Sequence, residues 1–262
     1  MNYIISTDLD GTLIDHHDYS FDAAAPAIER CKTLGIPIVL NTSKTAQEAK
    51  ALQLALGLDS PLVVENGSAI VMSNSASSDT LFGASRYDVL NFIQSVRKEH
   101  KWRFEGFNDW SIQDIIKHTG LSQQDAKLAN TKQYSEPFVW QDSAEALQRF
   151  SSLANDQGLS ILKGGRFYHL QGQTDKAKPL KWMMQHYSTL FPSLSGRPKL
   201  IALGDNHNDI AMLNAADIAV CVRSPVADYP ALSTSSVIKV IQTTEFGPAG
   251  WNEAISQILD QH

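Results

Sequence analysis

The sequence is poor in cysteine and in positive charge. Its two cysteines among 262 residues, Cys31 and Cys221, lie far apart without Cys-x-x-Cys spacing, so neither a disulfide framework nor a zinc site is suggested. The 22 lysines and arginines are outnumbered by 28 aspartates and glutamates, which gives a formal net charge of −6. No basic stripe is therefore available for nucleic acid or an anionic membrane. We expect a small-molecule substrate, no nucleic-acid or membrane partner, and a reducing cytoplasm.

Long apolar runs are absent as well. No stretch approaches the roughly 20 apolar residues that are needed to cross a bilayer, and the first residues lack a basic segment followed by a signal-length apolar region. We therefore expect neither membrane insertion nor export. The 43% of hydrophobic residues is typical of an ordinary globular protein large enough for two cores. Nothing in the sequence indicates the oligomeric state.

The most informative feature that is present is a pair of carboxylates after a short apolar run. Residues 4–7 predict a strand, and Asp8-Leu9-Asp10-Gly11 follows it directly. In an open α/β sheet, ligands bind just outside the carboxyl ends of the strands. Two carboxylates this close repel each other unless a hard cation such as Mg²⁺ lies between them. A plain Asp-Gly turn is the alternative, whereas a calcium loop does not fit because Gly11 comes two positions too early and Ile14 is not a ligand.

The order of the patterns predicts a parallel sheet that is split in sequence. Apolar strand runs at 4–7, 36–40 and 62–64 alternate with helical patterns, and Asn66-Gly67 predicts a hairpin leaving the sheet. From about residue 82 to 170 the pattern changes to helices at 86–100 and 143–155 with short strands at 102–104, 138–140, 161–163 and 167–170. The parallel pattern resumes at 199–203, 218–222 and 237–241. Residues 73–78 form the one low-complexity patch, which predicts a surface loop.

We therefore predict an α/β fold, a Rossmann-like parallel-sheet core with an inserted α+β cap. Residues 1–82 and 171–262 form the two parts of the core in this prediction, and residues 83–170, called the insert below, form the cap.

A second acidic cluster follows another predicted strand. Gly204-Asp205-Asn206-His207-Asn208-Asp209 places two aspartates four residues apart, on one face of a helix if a helix begins there. Capping of free helix amides is the alternative use for Asp209 and Asn208. Carboxylates at two strand ends nevertheless suit Mg²⁺, which takes few protein carboxylates and completes its coordination with phosphate oxygen and water.

Together these segments resemble the haloacid-dehalogenase-like phosphatases. The resemblance rests on Asp8-x-Asp10-Gly11-Thr12, on Thr42 after the second strand, on a lysine, and on Gly204-Asp205-x-x-Asn208-Asp209. It implies that Asp8 is the nucleophile, that Asp10 is the general acid and base, and that Thr42 and the lysine hold phosphate oxygens. It further implies that Asp8, Asp10, through its backbone carbonyl, and Asp205 bind Mg²⁺, with Asp209 in support.

The lysine is the least determined of these positions. Lys176, Lys178 and Lys181 all lie where the core pattern resumes. We predict Lys176, because its place after Thr174-Asp175 best matches the third motif of the family, and Lys178 is the alternative.

Within that superfamily the sequence is most similar to the mannosyl-3-phosphoglycerate phosphatases. The similarity rests on Asn-Thr-Ser-Lys-Thr at 41–45, Glu-Asn-Gly at 65–67, Gly-Gly-Arg-Phe-Tyr-His at 164–169 and Gly-Pro-Ala-Gly-Trp at 247–251. It implies removal of phosphate from 2-O-mannosyl-3-phosphoglycerate to give mannosylglycerate, with the insert closing over the sugar.

The predicted substrate contacts follow from these segments. Arg166 has a planar donor fork suited to the glycerate carboxylate, although an exposed arginine in a turn is the alternative. His169 is placed to donate to a sugar hydroxyl, with a packed histidine as the alternative. The predicted substrate-binding set is Ser43, Lys44, Glu65, Asn66, Arg166, His169 and Asn208.

Other functions remain open at this point. The ester can be another sugar phosphate, such as a glucosyl-3-phosphoglycerate, a sucrose-phosphate-like ester or a hexose phosphate. A phosphomutase would use the same aspartyl-phosphate. A non-catalytic sugar-phosphate sensor predicts loss of Asp8 or Asp10, and both are present.

Overall fold

The computed structural model describes residues 2–73, 78–163, 166–233 and 239–261. Its first segment alternates strands and helices, as predicted. The elements are β1 (Tyr3–Thr7), a 3-10 turn (Asp22–Ala24), α1 (Ala25–Thr33), β2 (Ile38–Leu40), α2 (Ala46–Ala55), β3 (Leu62–Val64), β4 (Ala69–Val71) and β5 (Thr80–Leu81). A reciprocal cap begins α2, because the Thr45 hydroxyl accepts a hydrogen bond from the Glu48 amide at 3.2 Å and the Glu48 carboxylate accepts one from the Thr45 amide at 2.8 Å. Residues 74–77 of the predicted surface loop lie outside the described residues.

The insert has its own antiparallel sheet. Its elements are α3 (Arg86–His100), β6 (Phe104–Gly106), α4 (Ile112–Thr119), α5 (Gln123–Ala129), β7 (Ser135–Trp140), α6 (Ala144–Asp156), β8 (Leu159–Lys163) and β9 (Tyr168–Gly172). The strand order is β6-β7-β9-β8. Aromatic side chains pack between this sheet and its helices, with Phe104, Phe138 and Phe150 buried. The aromatic residues of the insert therefore form a core, as expected for a small α+β unit.

Two helices of the insert, α4 and α5, were not predicted from the sequence. Each begins at a serine followed three residues later by an aspartate, Ser111 with Asp114 and Ser122 with Asp125. In both, the serine hydroxyl accepts a hydrogen bond from the aspartate amide. This capping pattern was the signal that would have revealed them. The predicted strand 102–104 is shifted to Phe104–Gly106, because α3 ends with Lys101 in the left-handed region at φ 53°.

The third segment completes the core. It contains α7 (Ala177–Gln185), α8 (Tyr187–Leu190), β10 (Lys199–Gly204), a 3-10 turn (His207–Asp209), α9 (Ile210–Asn214), β11 (Ile218–Arg223), β12 (Lys239–Phe246) and α10 (Gly247–Asp260). The predicted strand 237–241 corresponds to β12, although positions 237 and 238 lie outside the described residues.

The central sheet is parallel, with the order β12-β11-β10-β1-β2. β1 pairs with β10 on one side and with β2 on the other. A parallel bridge between Asn41 and Val63 then places β3 next to β2, and the antiparallel hairpin of β3, β4 and β5 leaves the sheet there. The predicted α/β class with a parallel core is confirmed. The crossovers leave β1 in opposite directions, so the carboxyl ends of β1 and β10 border the crevice in which such folds bind ligands.

Both faces of the central sheet are covered. Ile5 of β1 packs into one core, which includes Trp251 of α10, and its neighbour Ile4 packs into the other, which includes Leu180 of α7. Strands buried on both faces read as continuous apolar runs, which is why 199–203 and 218–222 were recognisable. In the described parts of the chain, no helix has the length and apolarity needed to cross a membrane.

Candidate active site

The loop after β1 is anchored to the neighbouring strand. The Asp8 amide donates to the Leu203 carbonyl of β10 at 2.9 Å, and the Asp8 residue is 7% exposed. Gly11 then turns the chain at φ 78°. A Cβ at this position would lie 2.8 Å from Oδ2 of Asp205, so a side chain here would be both strained and too close to that carboxylate. Gly11 thus lets the two predicted acidic segments meet.

Lys176 joins two of the aspartates. Its Nζ lies 2.5 Å from Oδ1 of Asp8 and 2.7 Å from Oδ1 of Asp209, and its side chain is 0% exposed. Burial alone would lower the pKa of Lys176, but the charges of Asp209 and Asp8 outweigh burial and raise the pKa above its ordinary value. Lys178 is exposed, and its Nζ reaches only backbone carbonyls, those of Phe82 and Gln173. Of the two lysines weighed from the sequence, the structure brings Lys176 to Asp8.

The β3–β4 hairpin helps to place Lys176. The Gly67 carbonyl accepts a hydrogen bond from the Thr174 hydroxyl at 2.9 Å, and a Cβ on Gly67 would lie 2.0 Å from the Asp175 carbonyl oxygen. The Asn41 side-chain amide donates to the Lys176 carbonyl at 2.9 Å. Lys176 therefore enters the site from a backbone segment that is held from two sides.

Asp205 has an oxygen without a hydrogen-bond partner. Its Oδ1 accepts a hydrogen bond from the Thr12 hydroxyl at 3.0 Å, whereas Oδ2 is buried and has no hydrogen-bond partner among the described residues. Burial, and then the charge of Asp8, raise the pKa of Asp205 to about 6. Burial, and then the charge of Asp209, also raise the pKa of Asp8, against the opposing effect of Lys176. A cation at these oxygens would relieve both effects.

These acidic groups fit a hard cation. One carboxylate oxygen from each of Asp8, Asp205 and Asp209 lies within 4.8 Å of the others. Both oxygens of Asp209 are already used, since Oδ1 binds Lys176 and Oδ2 accepts hydrogen bonds from the backbone amides of Asp205 and Asn206 at 3.2 and 3.1 Å. The oxygens left for a metal ion therefore belong to Asp8 and Asp205, and Asp209 holds the lysine and the turn after β10 in place.

The side chain of Asp10 lies outside this acidic cluster. It is 33% exposed, and its Oδ1 lies 2.9 Å from Nζ of Lys44. Burial lowers and the charge of Asp10 raises the pKa of Lys44, and the net effect is a raised pKa. The Lys44 ammonium, predicted to contact substrate, is thus paired with Asp10 in this structure. The predicted metal contact of Asp10 is made by its backbone carbonyl, so the outward position of its side chain leaves that prediction unchanged.

The segment after β2 lies against the hairpin tip. The Thr42 amide donates to the Val63 carbonyl at 2.9 Å, and the Thr42 carbonyl accepts from the Asn66 amide at 2.9 Å. The Thr42 hydroxyl accepts from the Lys44 amide at 3.1 Å. Oδ1 of Asn66 accepts from Nδ2 of Asn208 at 3.3 Å, so these two predicted residues do meet.

Glu65 connects the core to the insert. Its carboxylate accepts hydrogen bonds from the Gln133 amide at 2.8 Å, the Tyr134 amide at 3.2 Å and the Ser135 hydroxyl at 2.6 Å. Both Glu65 oxygens are thereby used within the protein. Glu65, which was predicted to contact substrate, is in this structure bound to residues 133–135 of the insert.

Arg166 and His169 have surroundings that differ from those predicted. Arg166 donates through Nη1 to the carbonyls of His118 and Thr119 at 3.3 and 2.9 Å, at the end of α4. Its guanidinium therefore caps a helix, because helix ends leave carbonyls without partners. His169 is half-buried, and its Nδ1 is buried without a hydrogen-bond partner among the described residues. Desolvation, and then the charge of Lys132, lower the pKa of His169 to about 3. Glycines 164 and 165 of the same motif lie outside the described residues.

The sequence reading missed Lys132, Asn41 and the contact of Thr12. Lys132 is 8% exposed, and its Nζ donates to the Ser43 carbonyl at 2.7 Å. This contact joins residues 89 positions apart, and no motif or period marks it. Thr12 belongs to the first recognised motif, so its contact with Asp205 of the second acidic cluster could have been predicted from the sequence.

Comparisons with known proteins show which family the chain belongs to. A family model described as haloacid dehalogenase-like hydrolase matches residues 5–228. A protein of Methanococcoides burtonii named glucosyl-3-phosphoglycerate/mannosyl-3-phosphoglycerate phosphatase is 35% identical over 276 aligned positions, which cover 100% of this chain and 99% of the relative. A protein of Persephonella marina with the same name is 33% identical over 271 positions, covering 98% and 97%.

Solved structures support the fold alone. A phosphatase of the haloalkanoate enzyme superfamily from Bacteroides thetaiotaomicron superposes with a TM-score of 0.68 at 20% identity, covering 98% of this chain and 95% of the other. A protein from Thermoplasma acidophilum gives 0.67 at 19% identity, covering 99% of both. Because the family model spans residues 5–228 and the two relatives align at 33% and 35% identity over almost their whole length, the chain belongs to the haloacid dehalogenase-like hydrolase family.

Proposed function

We propose that the protein is a Mg²⁺-dependent phosphatase in which Asp8 attacks the phosphorus of a phosphate monoester. The observation that carries the proposal is the buried Lys176 ammonium bridging Asp8 and Asp209 beside an Asp205 oxygen without a hydrogen-bond partner. An anionic nucleophile reacts with an anionic phosphate only when positive charge is supplied at the site. Membership of a hydrolase family and the phosphatase names of both relatives support the same reaction.

The reaction proceeds in two displacements. An Asp8 oxygen forms a bond to phosphorus as the bond from phosphorus to the substrate oxygen breaks, which gives an aspartyl-phosphate. Asp10 donates a proton to the departing oxygen and then removes a proton from the water that attacks the aspartyl-phosphate. Phosphate leaves and Asp8 is regenerated. Lys176 and the Thr42 hydroxyl hold the oxygens of the transferred group.

Mg²⁺ would be held by Asp8, Asp205 and the backbone carbonyl of Asp10. When bound, it supplies positive charge to the phosphate oxygens and reduces the repulsion between the carboxylates. Asp209 holds Lys176 and the turn after β10, so the two ligand side chains keep their relative position.

The proposed substrate is 2-O-mannosyl-3-phosphoglycerate, with mannosylglycerate as the product. The names of the two relatives support this ester and its glucosyl counterpart equally. We propose that residues 83–170 act as the cap over the sugar. The contacts of Glu65 with residues 133–135 support this role, because they hold the insert against the segment that follows β3.

Phosphate release from a panel of esters tests the proposal. The panel contains mannosyl-3-phosphoglycerate, glucosyl-3-phosphoglycerate, 3-phosphoglycerate, mannose 6-phosphate and sucrose 6-phosphate, with Mg²⁺ present and the Asp8→Asn protein as the blank. We expect strong preference for the first two esters, loss of turnover with a chelator, and recovery when Mg²⁺ is restored. Equal turnover of all esters would contradict the substrate, and no turnover of any ester would contradict the phosphatase.

A further inference from the structure

Lys132 is a buried cation without an anionic partner. The other enclosed cations around the site are paired, Lys176 with Asp8 and Asp209, and Lys44 with Asp10. Among the described residues, no carboxylate lies within ion-pair distance of Lys132, whose Nζ donates to the Ser43 carbonyl. Burying an ammonium group without a counter-charge is unfavourable. The position therefore favours an anion that arrives from outside the protein.

Lys132 lies where the insert meets the candidate active site. Its acceptor, Ser43, lies between Thr42 and Lys44, in the segment that follows β2. The three residues that follow Lys132 in the chain donate hydrogen bonds to the Glu65 carboxylate. This segment of the insert therefore contacts the core both at Ser43 and at Glu65. A lysine ammonium has three N–H donors, and the Ser43 carbonyl takes one of them.

His169 lies within electrostatic reach of this ammonium. It is in β9 opposite Pro137 of β7, and the charge of Lys132 contributes to its lowered pKa. Its Nδ1 is buried without a hydrogen-bond partner among the described residues. An imidazole with an unused nitrogen and an ammonium without a carboxylate partner are therefore both available to a polar ligand on this side of the insert.

The two other cations predicted to bind substrate, Arg166 and Lys44, already have partners within the protein. Arg166 donates to the carbonyls at the end of α4, and Lys44 is paired with Asp10. We propose that Lys132, with His169 as a second polar group of the insert, binds the carboxylate of the glycerate part of the substrate. This inference rests on the proposed function, since it identifies which part of a phosphoglycerate ester the insert recognises. Lys132 is a binding residue in this scheme and takes no part in the proton or phosphoryl transfers.

A matched pair of substrates tests the proposal. 3-Phosphoglycerate and glycerol 3-phosphate differ in a carboxylate that is replaced by a hydroxymethyl group, and the same change can be made in the mannosyl ester. For Lys132→Met, which keeps an unbranched side chain of nearly the same length and removes its charge, we expect KM for both carboxylate esters to rise about 10- to 100-fold. We expect kcat, and both constants for the alcohol esters, to stay within about threefold.

Lys127→Met is the matched control, because Lys127 is exposed in the last turn of α5, five residues before Lys132. It should leave all four substrates unchanged. Equal losses on carboxylate and alcohol esters would overturn the proposal in favour of a structural role for Lys132, and unchanged constants would overturn it outright.

The wild-type protein separates this proposal from the proposed function. If it hydrolyses phosphate esters but prefers no carboxylate ester over its alcohol partner, the carboxylate site is wrong and the phosphatase stands. The same comparison decides the matter if Lys132→Met does not fold. If no ester is hydrolysed, calorimetric binding of 3-phosphoglycerate and glycerol 3-phosphate decides it, and tighter binding of the carboxylate compound that is lost in Lys132→Met supports the site.

Discussion

One buried lysine of the core and one of the insert differ in how their charge is compensated. In the core, the Lys176 ammonium is paired with the carboxylates of Asp8 and Asp209. In the insert, the buried Lys132 has no carboxylate within ion-pair distance, and Nδ1 of His169 is buried without a hydrogen-bond partner, among the described residues. A lysine held in place by two carboxylates suits a reaction that is the same for every ester, because it presents a fixed positive charge to the phosphate. Unused polar groups suit recognition, because a buried polar group left unpaired discriminates strongly against a ligand that cannot satisfy it.

On the core side of this comparison, the largest expected loss of activity comes from replacing Asp8. We expect Asp8→Asn to lower phosphate release by at least about 1,000-fold, because the amide is a poor nucleophile. The fold should survive, since the raised pKa of Asp8 means that burial and the charge of Asp209 disfavour its ionised form. Phosphate release and thermal unfolding in the same buffer measure the two effects. Turnover close to wild type would remove Asp8 from the role of nucleophile.

Replacing Lys176 tests whether catalysis needs a lysine at this buried position or only a lysine nearby, such as Lys178. Lys176→Met should lower kcat by roughly 100- to 1,000-fold, because the transferred phosphoryl group loses a preorganised positive charge. Lys178→Met is the matched control, because Lys178 is exposed and contacts only backbone carbonyls in this structure. We expect it to change kcat by less than about threefold. A larger loss in Lys178→Met than in Lys176→Met would transfer the role to Lys178.

The sequence sufficed where local pattern carries the information. The α3 helix matches the predicted 86–100, because its capping serine and apolar spacing are both local. Asp8 and Asp205 were expected to meet because each follows an apolar strand run, and the carboxyl ends of parallel strands share one edge of a sheet. The structure brings them together as expected.

The remaining contacts depend on residues that are distant in sequence. Glu65 meets residues about 70 positions later, and Lys132 meets Ser43, 89 positions earlier. Neither contact has a periodic or motif signal, since it arises from how the insert docks on the core. Arg166 was predicted to bind the substrate carboxylate for a related reason. Its actual acceptors are carbonyls at the end of α4, a helix that was not predicted from the sequence.

Glu65 tests whether the two regions depend on each other. Glu65→Ala leaves the Gln133 and Tyr134 amides and the Ser135 hydroxyl without their acceptor, and we expect it to cost about 1–3 kcal/mol of unfolding free energy. Denaturant unfolding measures this loss. Glu99→Ala is the control, since Glu99 is an exposed residue of α3 and should change stability by less than about 0.5 kcal/mol. Equal stability of the two variants would show that the insert is held by other contacts.

The last expected effect is the pH dependence contributed by His169, which is absent at neutral pH and sharpens the comparison on the insert side. Its pKa is lowered to about 3 in the folded protein, from an ordinary value near 6.5 in the unfolded chain. The unfolded state therefore binds this proton first as the pH falls. The stability contributed by the neutral ring is fully present above about pH 6.5 and is lost progressively between about pH 6.5 and pH 3. His169→Gln should flatten the decline of unfolding free energy in that window. An unchanged slope would mean that the ring gains a proton in the folded protein as readily as in the unfolded chain. The surroundings of His169 would then be open to water.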